Sequence, residues 1–145
     1  MKTTKLLQIT SIFVLLQYSA HTFLFLSAKP THGPEEITLV EAMKSHYWDF
    51  GGFSHSYWDF YFGYGLIAIL LGVIEVVLLW QLASISKISS VKIRPFIALL
   101  FFATLAHAIL ILKYFFLLPA IFDFITVLLL GVAYMRAKEN TPSNI

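Results

Sequence analysis

The chain has 145 residues, of which 59% are hydrophobic and 12% charged, with no cysteine and a formal charge of +2. Soluble domains carry roughly half and a quarter, and one of about 150 residues buries only about 70% of its unfolded surface, so a soluble globular enzyme is excluded. The missing cysteines exclude disulfides, thiolate-held metals and thiol chemistry, and ten basic against eight acidic residues without a basic run imply neither nucleic acid nor an anionic lipid surface as partner.

A bilayer core about 30 Å thick takes about 20 mostly apolar residues, and this yardstick predicts four spans. The first runs from about Leu6 to Ser27. Lys2 and Lys5 precede it as in a signal peptide. Cleavage after Ala20 or Ala28, however, would put Tyr18 or Leu26 where a small residue is required, so the run reads as a retained helix. The segment 28–57 follows, too short for a core of its own. Within it Thr31 to His46 reads as a short interfacial helix, with Pro34, Glu35 and Glu36 suited to a first turn and Ile37, Val40, Glu41 and Lys44 giving a partly amphipathic face.

A near repeat comes next, His46-Tyr-Trp-Asp-Phe50 and Ser56-Tyr-Trp-Asp-Phe60, joined through Gly51 and Gly52. The glycines are expected to turn the chain from the surface helix into the second span, about 58–82, with Tyr47, Trp48, Tyr57 and Trp58 at headgroup level. Lys87, Lys92 and Arg94 form a basic loop ending at Pro95. The apolar stretch from Phe96 to Met135 is too long for one crossing and predicts a hairpin. Its turn is expected near Leu117 to Ala120, because Pro119 lacks an amide donor and disfavours helix at Leu118. The third and fourth spans are then about 96–117 and 120–135. Lys2, Lys5, Lys87, Lys92, Arg94, Arg136 and Lys138 fall on one side and Lys29, Lys44 and Lys113 on the other, which puts both termini in the cytoplasm. The expected fold is one all-α membrane domain over residues 1–145, an antiparallel bundle of four transmembrane helices with a short helical segment on the outer face between helices 1 and 2.

Ser54-His-Ser-Tyr-Trp-Asp-Phe-Tyr-Phe-Gly-Tyr-Gly65 resembles the signature GFSRSYWDFYFGFG of a family of small bacterial four-helix membrane proteins, and Gly52 to Gly65 carries it nearly throughout. His55 stands where that pattern has a fixed cation. The resemblance extends to His21-Thr22, to Ala42 to His46, and to Lys113-Tyr-Phe-Phe followed by Pro119, where relatives more often carry Arg at the Lys113 position. It implies class, topology and a bacterial plasma membrane, and no particular activity.

Ionisable groups inside lipid are costly unless paired or hydrated, so each is a functional candidate. Counting about 1.5 Å per residue, Asp59, Asp123 and Lys113 lie within about 10 Å of the outer interface, with His21 near the same level. These residues, together with His55, Tyr57 and Trp58, are the candidate ligand-binding set for one outer pocket. Lys113 and Asp123 are also read as an ion pair closing the hairpin, or Lys113 as a lysine snorkelling to the outer interface. Asp59 is read as a cap of the second helix or as part of a site with His55 or His21. Gln17 and His21 lie four apart and form a polar stripe facing the bundle. His107 lies near mid-membrane and Glu75 deeper, without direct contact between them; Glu75 is a neutral, hydrogen-bonded acid or a proton-relay or cation-site carboxylate. Gly63, Gly65 and Gly72 let helices approach closely. No cofactor and no metal is called for: a haem between His21 and His107 would span different depths, and His21, His55 and Asp59 lack ligand spacing.

The function expected from these residues is the binding of a small amphiphile or lipid in an outer-leaflet pocket. A membrane-embedded enzyme using Asp59, His21 and Lys113 and a structural or assembly subunit are the alternatives. Expected partners are membrane lipid, the small amphiphilic ligand and further copies of the chain in a homo-oligomer.

Overall fold

The computed structural model describes residues 2–137; Lys138, one of the cations assigned to the cytoplasmic side, lies outside them. Four long helices, α1 (Thr3–Ser27), α3 (Tyr57–Ile85), α4 (Arg94–Tyr114) and α5 (Leu117–Arg136), pack as an antiparallel bundle. A short helix α2 (Pro34–Ser45) and a hairpin of strands β1 (Tyr47–Phe50) and β2 (Phe53–Ser56) lie between α1 and α3, and one turn of 3-10 helix, Val91–Ile93, leads into α4. All four long helices have the length and apolar composition to cross a membrane, as an integral membrane protein requires. By contacts the chain divides into two compact units: one holds the chain up to Tyr18 and from Gly72 onward, the other is Ser19–Leu71.

In the first unit Leu7, Val14, Leu79, Ile93, Ile97 and Leu130 interlock as the core. Leu16, Leu99, Phe102 and Leu128 stay exposed on the outer faces, the arrangement that lipid as solvent favours. Small and hydroxylated residues bring the helices together. A Cβ at Gly72 would fall on the Tyr18 ring, so α1 and α3 approach there only because the side chain is missing. The Ser11 hydroxyl donates to the Val76 carbonyl at 2.9 Å, and the hydroxyls of Thr4 and Ser86 share a 2.7 Å hydrogen bond.

The α4–α5 turn differs from its expected place. The chain breaks at Phe115 and Phe116, both non-helical, and Pro119 is the third residue of α5. The reason is that first-turn amides have no partner inside their own helix, so proline costs nothing there and its fixed φ favours helix initiation. The last span gains three residues at its start and reaches 20 in all, a full crossing.

In the second unit α2 begins at Pro34, as its first turn predicts. The carboxylate of Glu36 accepts the backbone N–H groups of His32 and Thr31, each at 2.6 Å, and contacts the His32 ring at 3.1 Å. The His32 amide above all holds the Glu36 carboxyl below the ordinary carboxylate range.

The linker expected after α2 is instead a hairpin, with Tyr47 opposite Ser56 and Trp48 opposite His55. Gly51 and Gly52 form its two-residue turn with φ of 66° and 88°, the left-handed pair that fits the twist of the flanking strands. Asp49 Oδ1 accepts the Gly52 N–H at 2.8 Å and closes it. The near repeat therefore folds in two ways: its first Tyr-Trp-Asp-Phe is β1 and its second is the opening turn of α3.

Candidate functional site

Inside the first unit the buried carboxylate of Asp123 on α5 gathers polar groups from two other helices. Its Oδ1 accepts the side-chain N–H of Gln17 on α1 at 2.8 Å, and its Oδ2 lies 2.9 Å from Nδ1 of His107 on α4. Where the carboxylate is ionised it can only accept, and Nδ1 then carries the hydrogen and leaves Nε2 as the ring's second site. The side-chain exposures are unequal, 4% for Asp123 and 45% for His107. Asp123 is thus the fixed anchor and His107 the group presented outward. Glu75 on α3 is half-buried and lies within electrostatic reach of His107, Asp123 and Tyr18. One turn beyond Asp123, the Thr126 hydroxyl is buried with no hydrogen-bond partner among the described residues. Arrays of this kind orient an imidazole for proton transfer or ligation.

The second unit carries a different arrangement, a ladder of rings. Lys44 Nζ sits 4.5 Å from the Trp58 ring centroid. Trp58 stacks on Phe62 at 6.5 Å, Phe62 on Phe25 at 5.4 Å, and Phe25 on His21 at 5.9 Å. A Cβ at Gly65 would fall on the Phe25 ring, so that glycine makes room for the ladder. Beside the hairpin Trp48 packs edge-on to Tyr57 at 3.9 Å and stacks on Phe60 at 5.7 Å. On α1, Ser19, Thr22, Phe23, Leu26 and Ser27 line an open groove of about 520 Å³, mixing hydroxyls with apolar walls.

Ser56 and Asp59 form a reciprocal cap at the start of α3. Asp59 Oδ2 accepts the Ser56 N–H at 2.8 Å and the Ser56 hydroxyl at 2.9 Å, while the Asp59 N–H donates to Ser56 Oγ at 3.2 Å. This is a capping box with Asp in the acidic position. These are the bonds that the cap reading of Asp59 expects.

The predicted residues divide accordingly. His21 and Trp58 belong to the ladder, Tyr57 packs with Trp48, His55 packs edge-on to Phe60 at 5.9 Å, and Asp59 caps α3. The expected Lys113–Asp123 ion pair does not form: Lys113 is exposed with Nζ 5.0 Å from the Tyr114 ring centroid, and Asp123 is taken by Gln17 and His107. The reason is the shifted turn, which starts α5 at Leu117 and carries Asp123 into its second turn, facing α1 and α4. Of the polar stripe on α1, Gln17 reaches Asp123, whereas His21 stacks on Phe25. Sequence reasoning left Lys44 and His107 out of the set; the signal for Lys44 was its place in the family-like segment Ala42 to His46, and for His107 its isolation in an apolar run. Gly63, unlike Gly65 and Gly72, meets nothing within 4 Å where its Cβ would be. Among the described residues no three acids or histidines come together as a metal would need. No known family, curated protein or solved structure matches the chain, so the site rests on its own geometry.

Proposed function

We propose that this integral membrane protein binds a small amphiphile or lipid against its second unit, in the outer leaflet of a bacterial plasma membrane, with both termini cytoplasmic. The observation that carries this reading is the ladder from Lys44 through Trp58, Phe62 and Phe25 to His21. It pairs a cation at one end with about four rings' depth of apolar surface, the two environments that the head and chain of an amphiphile require. Lys44 forms no ion pair among the described residues, which leaves its ammonium to meet a hydrogen-bond-accepting headgroup. The groove on α1, with Ser19, Thr22 and Ser27 between Phe23 and Leu26, offers hydroxyl donors for the same class of ligand. The likeness of Gly52 to Gly65 to the four-helix family signature supports membership in that family.

Native mass spectrometry of the protein released with its surrounding lipid tests this. Wild type is expected to retain a defined small amphiphile, and Lys44→Ala and Trp58→Ala to lose it while keeping their helical content. Equal retention in all three proteins, or none in wild type, would overturn the reading.

A further inference from the structure

Successive side chains of a strand point to opposite sides, and residues paired across an antiparallel hairpin share a side. With Trp48 opposite His55 and Phe50 opposite Phe53, the β1–β2 hairpin therefore carries four rings on one face. Tyr47, Asp49, Ser54 and Ser56 take the other. No acid, lysine or arginine interrupts the ringed face, and on the opposite side the Asp49 carboxylate is bound to the Gly52 N–H. The hairpin is amphipathic, with the period of two that a strand requires.

The two ends of the ringed face are covered differently. Next to α3, Trp48 stacks on Phe60 at 5.7 Å and His55 meets the same ring edge-on at 5.9 Å. At the turn, Phe50 and Phe53 are 73% and 69% exposed. A two-stranded hairpin is marginal in water unless its apolar face is packed, so the outer half of this face needs a cover. The path of the chain says what lies there. Ser56, the last residue of β2, is followed directly by Tyr57, the first of α3, a helix with the length and apolar composition to cross a membrane. The hairpin is thus tied to the point where α3 enters the bilayer, and Phe60, on which its ringed face leans, belongs to the first turn of that helix. Aromatic rings are favoured at that level, and elements with one apolar and one polar face lie in the plane of the interface.

We propose that the β1–β2 hairpin is seated on lipid, its ringed face resting on the leaflet that α3 enters. Phe50 and Phe53 sink among the upper acyl chains, Trp48 and His55 bridge from them to Phe60, and Asp49 and Ser54 face water. The occupant is the bulk bilayer, and no particular headgroup is required. Such a seat fixes the height of the hairpin on the membrane. The ladder from Lys44 to His21 shares no ring with this face, so the hairpin seats in lipid whether or not the ladder holds an amphiphile.

The chain has no cysteine, so one introduced cysteine carries a spin label at a single site. Phe50→Cys, Phe53→Cys and Ser54→Cys are made in the full chain, labelled with a nitroxide and reconstituted in phosphatidylcholine vesicles. Each is then measured by EPR power saturation with oxygen, which concentrates in lipid, and with a nickel chelate, which stays in water. The ratio of oxygen to nickel accessibility is expected to be several-fold higher in Phe50→Cys and Phe53→Cys than in Ser54→Cys. The two phenylalanines lie on different strands, so either variant decides alone if the other does not fold. Equal ratios in all three proteins would put the face in water, and shielding of both phenylalanine positions from both reagents would put protein over it, a second copy of the chain included. Either result would overturn the proposal.

Discussion

Asp59 and Asp123 are both carboxylates near the start of an apolar helix, the third residue of α3 and the seventh of α5, and they are satisfied in opposite ways. Asp59 takes its partners from Ser56 three residues back. Asp123 takes them from Gln17, 106 positions away, and from His107 across the α4–α5 turn. A first-turn acid has unpaired amides beside it and needs no other element. An acid one turn deeper has lost that supply, because the amides around it are already bonded within the helix, and it must recruit side chains from its neighbours. Position within a helix thus decides whether a carboxylate in a membrane chain is a local cap or a tertiary hub.

The contrast is broken most severely at the hub. Asp123→Ala leaves Gln17 and His107 without an acceptor inside the bundle and is expected to cost on the order of 3 kcal/mol, seen as a lowered midpoint of thermal unfolding in detergent. A second substitution probes the approach of α1 to α3 next to it. Gly72→Ala places a methyl group in the Tyr18 ring and should destabilise by about 1–3 kcal/mol. Gly63→Ala, which meets open space, should be neutral or slightly stabilising through helix propensity. At the local cap, Ser56→Ala removes one side of the box and should cost about 1 kcal/mol, with fraying of the first turn of α3 in amide hydrogen exchange and no change at Asp123.

The smallest effect is a pH dependence at the start of α2. Glu36 is held below the ordinary carboxylate range by the His32 and Thr31 amides, so the folded state binds its proton more weakly than the unfolded chain does. The stabilisation is therefore present at and above the ordinary carboxylate range and is lost as pH falls through the lowered value. Amide shifts of Thr31 and His32 should change in that acidic window and stay constant in Glu36→Gln.

The same contrast explains what could be read from residues alone. Span number, α2 and the bundle follow from apolar run lengths and first-turn chemistry, which are local. The cap of Asp59 is also written locally, as Ser56-Tyr-Trp-Asp59. The hairpin was local too, but its Gly51-Gly52 turn sits between two copies of Tyr-Trp-Asp-Phe. That sequence has no preference strong enough to separate strand from helix: the glycines and Asp49 settle the first copy, Ser56 the second. The partners of Asp123 depend on where α5 starts and which way its second turn faces. A three-residue shift at Pro119 turns that face by most of a turn, enough to replace Lys113 by His107 and Gln17.

The most direct test is a pair of double-mutant cycles measured by unfolding, His107→Ala with Asp123→Ala and Lys113→Ala with Asp123→Ala. The structure predicts a coupling of about 1–3 kcal/mol for His107 with Asp123 and additivity within about 0.5 kcal/mol for Lys113 with Asp123. Coupling in the lysine cycle with additivity in the histidine cycle would contradict it.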